Sequence, residues 1–249
     1  MTRKGNCVRV IAMVSWYEEN PAWLAECVSS ISKLADHVVA VDGAYWGFPN
    51  AVLKPASGSE QADVIARTAA GLGMGTTIHV PRKPWSGPHG GEVAKRNFMM
   101  QLAMMVAEPE DWLLRIDADE VLSDVPLDAH QRLAETSASV AEVTLWEREA
   151  SDHIGETVDT LGDYQQPFRC LFRATPGIDI RGNHYTVTAP VDGERRVLNG
   201  MGQIPAEQLL DLRLEHRTRL RTKARQRLKA EYSSLINTFE TVLENPCEE

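Results

Sequence analysis

The chain has 249 residues, 43% hydrophobic and 24% charged, proportions of an ordinary globular protein that exclude a disordered or fibrous chain. At about 150 residues per domain, this length suits one large domain, or one domain with an appendage. A net charge of −9 disfavours a globally basic nucleic-acid binder, while leaving room for a local basic face.

No run of about 18 apolar residues occurs, so no spanning helix is expected. The polar, basic start Met1–Gly5 precedes an apolar run of only strand length, which is not the build of a signal peptide. A cytoplasmic location is the matching expectation. Cys7, Cys27, Cys170 and Cys247 form no CxxC pair and no zinc spacing, so they read as reduced, mostly buried thiols.

Val8–Val14 is β-branched and apolar and predicts a buried strand. Asn20-Pro21 opens a helix, with Asn as cap and Pro at the first helical position. Trp23, Leu24, Cys27, Val28, Ile31 and Leu34 give that helix an apolar face. His37–Val41 predicts a second strand, ending at Asp42-Gly43, and Tyr45–Gly58 a loop. Ser59 is expected to cap a helix reaching about Leu72, followed by a strand at Thr76–Val80. A Pro/Gly/His loop, Pro81–Gly91, leads into a helix over Glu92–Val106 carrying Lys95-Arg96-Asn97. Asp111–Ile116 predicts the fourth strand, ending in Asp117-Ala118-Asp119-Glu120.

Strand–helix alternation of this kind predicts a mostly parallel sheet, and such sheets bind ligands beyond the carboxyl ends of their strands. Three chemically suggestive segments fall there: Ser15–Glu19, Asp42-Gly43 and Asp117–Glu120. Beyond Asp124 the pattern changes. Val140–Glu147, Phe168–Phe172 and His184–Thr188 predict strands of an antiparallel or mixed half, and a long helix is expected from Arg217 to Leu243. The chain thus divides into residues 1–124 and 125–249 of one continuous domain.

Two carboxylates one residue apart, Asp117 and Asp119, can face one hard cation, and Mg²⁺ or Mn²⁺ suits oxygen ligands while keeping positions open for phosphate. A solvated acidic turn is the plainer alternative. Asp42, at a strand end before Gly, can accept hydrogen bonds from a ribose or base, or simply cap a turn. Arg96 can grip a diphosphate, against the alternative of a solvated helix face. His184 and His216 are isolated histidines, a residue more often structural than ligating. Arg213–Lys229 carries eight Arg and Lys residues opposed within the stretch only by Glu215. Such a segment can meet nucleic acid, anionic lipid or a diphosphate, or pair with acidic patches of its own chain. Leu220, Ala224 and Leu228 are a thin apolar face for a membrane helix. GxSxG and HExxH are absent, which gives covalent-nucleophile hydrolases no support.

Taken together, these segments resemble family 2-type glycosyltransferases of the GT-A fold, and lipopolysaccharide-core-like members among them. VIAMVSWYEENPAWLAECVSSI resembles the first strand and helix, VVAVDGA the strand whose terminal Asp contacts the nucleotide, AKRNFMMQLA the Ala-Arg-Asn helix, and DWLLRIDADEVL the DxD strand. FRCLFRATPGIDIRGNHYTV and LEHRTRLRTKARQRLKAEY resemble the acceptor-side and later His segments.

The resemblance implies a mostly parallel Rossmann-like sheet flanked by helices, a nucleotide-diphospho-sugar donor (a UDP-sugar first) and Mn²⁺ or Mg²⁺. It places Ser15, Asp42, Arg96 and Asp117 at the nucleotide, and Asp117, Asp119 and His216 at the metal. An inverting transfer needs a base for the acceptor hydroxyl. Glu147, ahead of Glu149 and Asp152, is the carboxylate expected there, with His184 on the acceptor side. The acceptor would be a glycan, a protein or a modified nucleic acid. Two other functions compete. A nucleotidyltransferase of related fold would need a Gly-rich signature that Ser15–Asn20 lacks, and a non-enzymatic nucleic-acid module would rely on Arg213–Lys229.

Overall fold

The computed structural model describes residues 8–87, 89–147, 164–182, 186–200, 202, 204–217, 223, 227–228 and 230–232. The central strand β1 (Val10–Ser15) is buried at every position. Its Val10, Ala12 and Val14 face one apolar cluster, and Ile11 and Met13 face another, so both sides of the sheet are covered.

Helix α1 (Pro21–Ile31) starts as the sequence predicts: the Asn20 side-chain oxygen accepts from the Ala22 N–H at 2.8 Å, with Pro21 in the first turn. Its Leu24, Cys27, Val28 and Ile31 pack on the first face. After β2 (His37–Val41), helix α2 (Ser59–Gly71) is capped by Gly58 without a side-chain bond; Ser59 is already helical. Strand β3 (Gly75–His79) follows. Helix α3 (Glu92–Val106) lies on the opposite face, where Met99, Met100 and Ala103 join the second cluster, and β4 (Trp112–Asp117) completes the parallel set.

The second half adds β5 (Glu120–Asp124), α4 (Ala129–Glu135), β6 (Val140–Glu147), β7 (Tyr164–Arg173), β8 (Asp179–Ile180), β9 (Val187–Val191), β10 (Glu194–Val197) and β11 (Glu207–His216). Eight strands form one sheet in the order β3-β2-β1-β4-β7-β6-β11-β5. The first four are mutually parallel, a half compatible with a Rossmann-like fold. Strand β7 runs antiparallel to β4 and β6, β11 is parallel to β6, and β5 is antiparallel to β11. A three-stranded sheet, β10-β9-β8, covers α3, and Asn97 of α3 exchanges two hydrogen bonds (2.7 and 2.8 Å) with the Ile180 backbone of β8.

The sheet cannot be flat. Strand β4 ends at Asp117 and β5 begins at Glu120, yet four strand steps separate them in the sheet. Three residues span at most about 11 Å, whereas four steps of a flat sheet span about 19 Å. The β7-β6-β11-β5 half must therefore curl until its far edge returns beside β4.

Two expectations are corrected. Arg213–His216 lies in β11, so the basic stretch does not begin as a helix; Arg213 pairs with Asp124 (3.5 Å), and Arg217 with Glu26 (2.7 Å) and Glu215 (2.8 Å). Of the long helix expected over 217–243, only residues 223, 227–228 and 230–232 are described as helical, and Arg217 is not; the remainder lies outside the described residues. No helix of the described residues is long and apolar enough to cross a membrane. Cys27 and Cys170 are buried free thiols, as expected.

The turn into α3 depends on Gly91. Its φ is +95°, and an added Cβ would meet the Trp85 carbonyl carbon and oxygen at 2.2 Å. Gly91→Ala should cost about 1–3 kcal/mol. Urea unfolding should show a lower midpoint with an unchanged slope; an unchanged midpoint would refute this reading of the turn.

Candidate functional site

Strand register brings the site together. Ser15, the last residue of β1, lies beside Val41 of β2 and Asp117 of β4. Asp42, Asp117 and Ser15 therefore emerge from one edge of the parallel half, the edge where open α/β sheets bind ligands.

Asp117 is half-buried and engaged from two sides. Arg96 Nη2 donates to its Oδ2 at 3.1 Å, and its own N–H donates to Glu120 Oε2 at 2.7 Å. Arg96 also donates to Glu92 Oε1, one helical turn earlier, at 3.1 and 3.3 Å. Burial works against the Arg96 charge, but Asp117, Tyr45 and Glu92 more than offset it and hold the guanidinium well above its ordinary pKa. The Glu120 carboxyl is pushed well up by burial and by the neighbouring Asp117 and Asp119.

Asp119 is nearly inaccessible and faces β11. Its Oδ2 lies 3.6 Å from His216 Nε2, while His216 Nδ1 is 3.0 Å from Glu147 Oε1. A carboxylate only accepts, so Nδ1 carries the proton and donates to Glu147. In the neutral ring, Nε2 then turns its lone pair to the Asp119 side. A carboxylate behind a histidine whose other nitrogen faces a further ligand is the outer-sphere pattern of metal-binding imidazoles. Two ligands on one cation with bonds of about 2.1 Å sit about 3–3.6 Å apart. The Asp119–His216 pair therefore fits a shared divalent ion. Asp117, the other carboxylate expected at the metal, has its Oδ2 bonded to Arg96. Among the described residues no group of three or more His, Cys, Asp or Glu side chains is arranged to hold a metal.

Asp42 is 1% exposed and already holds its own chain. Its two oxygens accept from the Ser57 N–H and hydroxyl, both at 2.7 Å. Burial raises its pKa, and the Ser57 hydrogen bonds and the nearby Lys95 partly offset the rise. Lys95, next to Arg96 on α3, does not lie on a solvated helix face. It is fully buried, donating to the carbonyls of Trp16 at 2.7 Å and Gly43 at 3.0 Å, beneath the Tyr45 ring at 5.3 Å. Burial lowers its pKa from 10.5 to about 7. The i, i+4, i+8 series Lys95, Met99, Ala103 carries this signal in the sequence: Lys95 belongs to the core-facing stripe.

The loop after β2 closes on itself and on its neighbour. Ala44 N–H donates to Pro55 O at 2.9 Å, Trp85 N–H to Ala44 O at 2.9 Å, and Trp46 N–H to Trp85 O at 2.7 Å. Trp85 Nε1 donates to Asp42 O at 2.8 Å. Tyr45 stacks on Tyr232 with ring centroids 5.8 Å apart.

The structure thus brings Ser15, Asp42, Arg96, Asp117, Asp119, Glu147 and His216 to one edge of the sheet. His184, Glu149 and Asp152 lie outside the described residues. The sequence reading missed Glu92 and Ser57, which reach Arg96 and Asp42 through packing rather than motif, and gave Glu120 no role of its own within the Asp117–Glu120 segment. No protein-family model matches the chain, and a search of curated proteins finds no matching relative.

Lys95→Met leaves two buried carbonyls without their donor and should cost about 1–3 kcal/mol near pH 7. The wild-type lysine is protonated in both folded and unfolded chains below about pH 7. Between there and 10.5 the unfolded chain holds a proton that the folded one has lost, so this group adds stability as pH rises. The stability gap between wild type and variant should widen from pH 7 to pH 10 in chemical denaturation; a constant gap would show Lys95 charged throughout.

Proposed function

We propose that the chain is a metal-dependent glycosyltransferase of GT-A type, moving a sugar from a nucleotide-diphospho-sugar, a UDP-sugar first, to an acceptor hydroxyl. The observation that carries this reading is the Asp119–His216 pair, backed by Glu147 and set beside the Arg96–Asp117 pair. A cation site and a fixed guanidinium at one strand edge are what a leaving diphosphate requires.

When bound, the divalent ion would neutralise charge developing on that leaving group. The chain does the rest. Arg96, whose Nε and Nη2 are held by Glu92 and Asp117, has Nη1 left to offer a phosphate oxygen. Glu147 fixes the tautomer and angle of His216, which makes it a positioning residue. Asp42 and Ser57 form the polar wall at the end of β2, where a ribose hydroxyl would compete with Ser57 for the carboxylate. The acceptor oxygen attacks the anomeric carbon, the bond to the diphosphate breaks, and the acceptor proton passes to a base in the curled half.

The test is thermal melting with UDP, GDP, CDP or dTDP and Mn²⁺, Mg²⁺ or EDTA. Ligand at a hundred times its Kd stabilises by about 2.7 kcal/mol, or about 5–10 °C for a chain of this size. One nucleotide should raise Tm, EDTA should erase the rise, and Asp119→Ala should remove it and lower kcat/KM at least about a hundredfold while the fold persists. No shift with any nucleotide would overturn the reading, as would wild-type turnover by Asp119→Ala.

A further inference from the structure

Four aromatic rings form one continuous row beside the Asp42 wall. Tyr17 meets Phe48 edge-on at 5.4 Å, Phe48 lies 5.6 Å from Tyr232, and Tyr232 stacks on Tyr45 at 5.8 Å with 21° between the planes. Tyr17 follows β1, and Tyr45 and Phe48 follow β2, whereas Tyr232 comes from the far end of the chain. The rings and the carboxylate share one wall. Glu18 N–H donates to Ser57 Oγ at 2.8 Å, Ser57 holds Asp42, and the Tyr17 hydroxyl donates to Lys54 O at 2.8 Å.

Among the described residues from 223 onward, Tyr232 alone is buried, at 8% exposed. Leu228 is half-buried, and Lys223, Arg227, Ala230 and Glu231 are exposed. A segment seated chiefly by one ring comes away when that ring does, which puts it at the low-stability end of a folded chain. The ring is also a chemical stand-in. A phenol stacks on Tyr45 as a nucleobase would, since every base offers a flat π-face. The two cannot stack there together. A base between two rings needs about 3.5 Å on each side, or about 7 Å in all, and the Tyr45 and Tyr232 centroids are 5.8 Å apart.

We propose that Tyr232 is a displaceable plug: the C-terminal segment fills, with its own ring, the socket of Tyr17, Tyr45 and Phe48 that receives the base of a nucleotide, and the nucleotide must expel it to bind. This deepens, and rests on, the reading of the cleft as a nucleotide-diphospho-sugar site. The socket stands where that reading needs a base, because Asp42 on the same wall faces the ribose. Base and segment are then rivals for one ring. Affinity for a nucleotide is reduced by the fraction of molecules whose socket is filled, while a ligand without a base is unaffected. A fixed wall residue would act in the opposite sense, since its removal would weaken nucleotide binding.

Calorimetric titration of the full chain tests it, with Mn²⁺ and UDP, GDP, CDP or dTDP, and with Mn²⁺ and inorganic pyrophosphate as the ligand that lacks a base. Tyr232→Ala should bind one nucleoside diphosphate about tenfold more tightly than wild type. Tyr232→Phe keeps the ring and should stay within about twofold of wild type. All three proteins should bind pyrophosphate equally. In wild type, saturating nucleotide should speed amide hydrogen exchange over residues 223–232, a readout that needs no variant to fold. Tyr232→Ala that binds nucleotide as wild type does, or more weakly, overturns the plug and leaves the donor site standing. So does exchange of the segment that slows or stays unchanged with nucleotide bound, and so does an equal gain for pyrophosphate. Nucleotide bound by none of the three proteins overturns the donor site and the plug with it.

Discussion

The two residues between Asp117 and Glu120 constrain the rest of the molecule. They join strands that stand four places apart in one sheet, and a flat sheet cannot satisfy them. The curl they impose brings the end of β11 against the turn itself. His216 becomes the register partner of Glu120, Arg217 N–H donates to Asp119 O at 2.9 Å, and His216 faces the Asp119 carboxylate. Residues almost a hundred positions apart meet because the connection is too short for them not to. The acidic turn is therefore the clasp of the fold.

Buried charge is handled by pairing along α3. The helix inserts Lys95 and Arg96 under the strand ends, and each is satisfied differently. Arg96 meets two carboxylates, the arrangement that keeps a guanidinium ionised out of water. Lys95 meets neutral carbonyls, and its burial, with the nearby Arg96, outweighs the Asp42, Asp117 and Glu92 charges that favour its own, so its proton is weakly held. Adjacent residues of one helix thus divide into a permanent cation and a titratable one. The division comes from which strand end each faces, added to the intrinsic difference between a guanidinium and an ammonium.

The parallel half was legible because its signals are local: Asn20-Pro21 at a helix start, β-branched runs in β1 and β2, and an apolar strand leading into Asp117. Strand β11 was not. The register slips between Leu209 and Arg213, so the buried Leu209, Leu212 and Leu214 break strict alternation, and Arg213 reads with the basic residues that follow. Strand β5 is short and acidic, and only its partner β11 makes it a strand. The candidate site divides similarly. Asp42, Asp117 and Asp119 stand at strand ends that periodicity predicts, but the joining of Glu147 to His216 is a product of the curl, which no local pattern encodes. Ser57 and Glu92 carry no motif at all.

Trp85 has a consequence for how anything reaches the cleft. Through two backbone bonds and one indole bond it ties the loop after β2 to the strap before α3, while a further bond closes the first loop on itself. Neither segment can swing out alone, because the same residue anchors both. Opening must break these bonds together and is therefore a single cooperative event, rarer and slower than the flicker of an independent loop. Trp85 thus makes one moving part of two segments that are about forty residues apart in the chain.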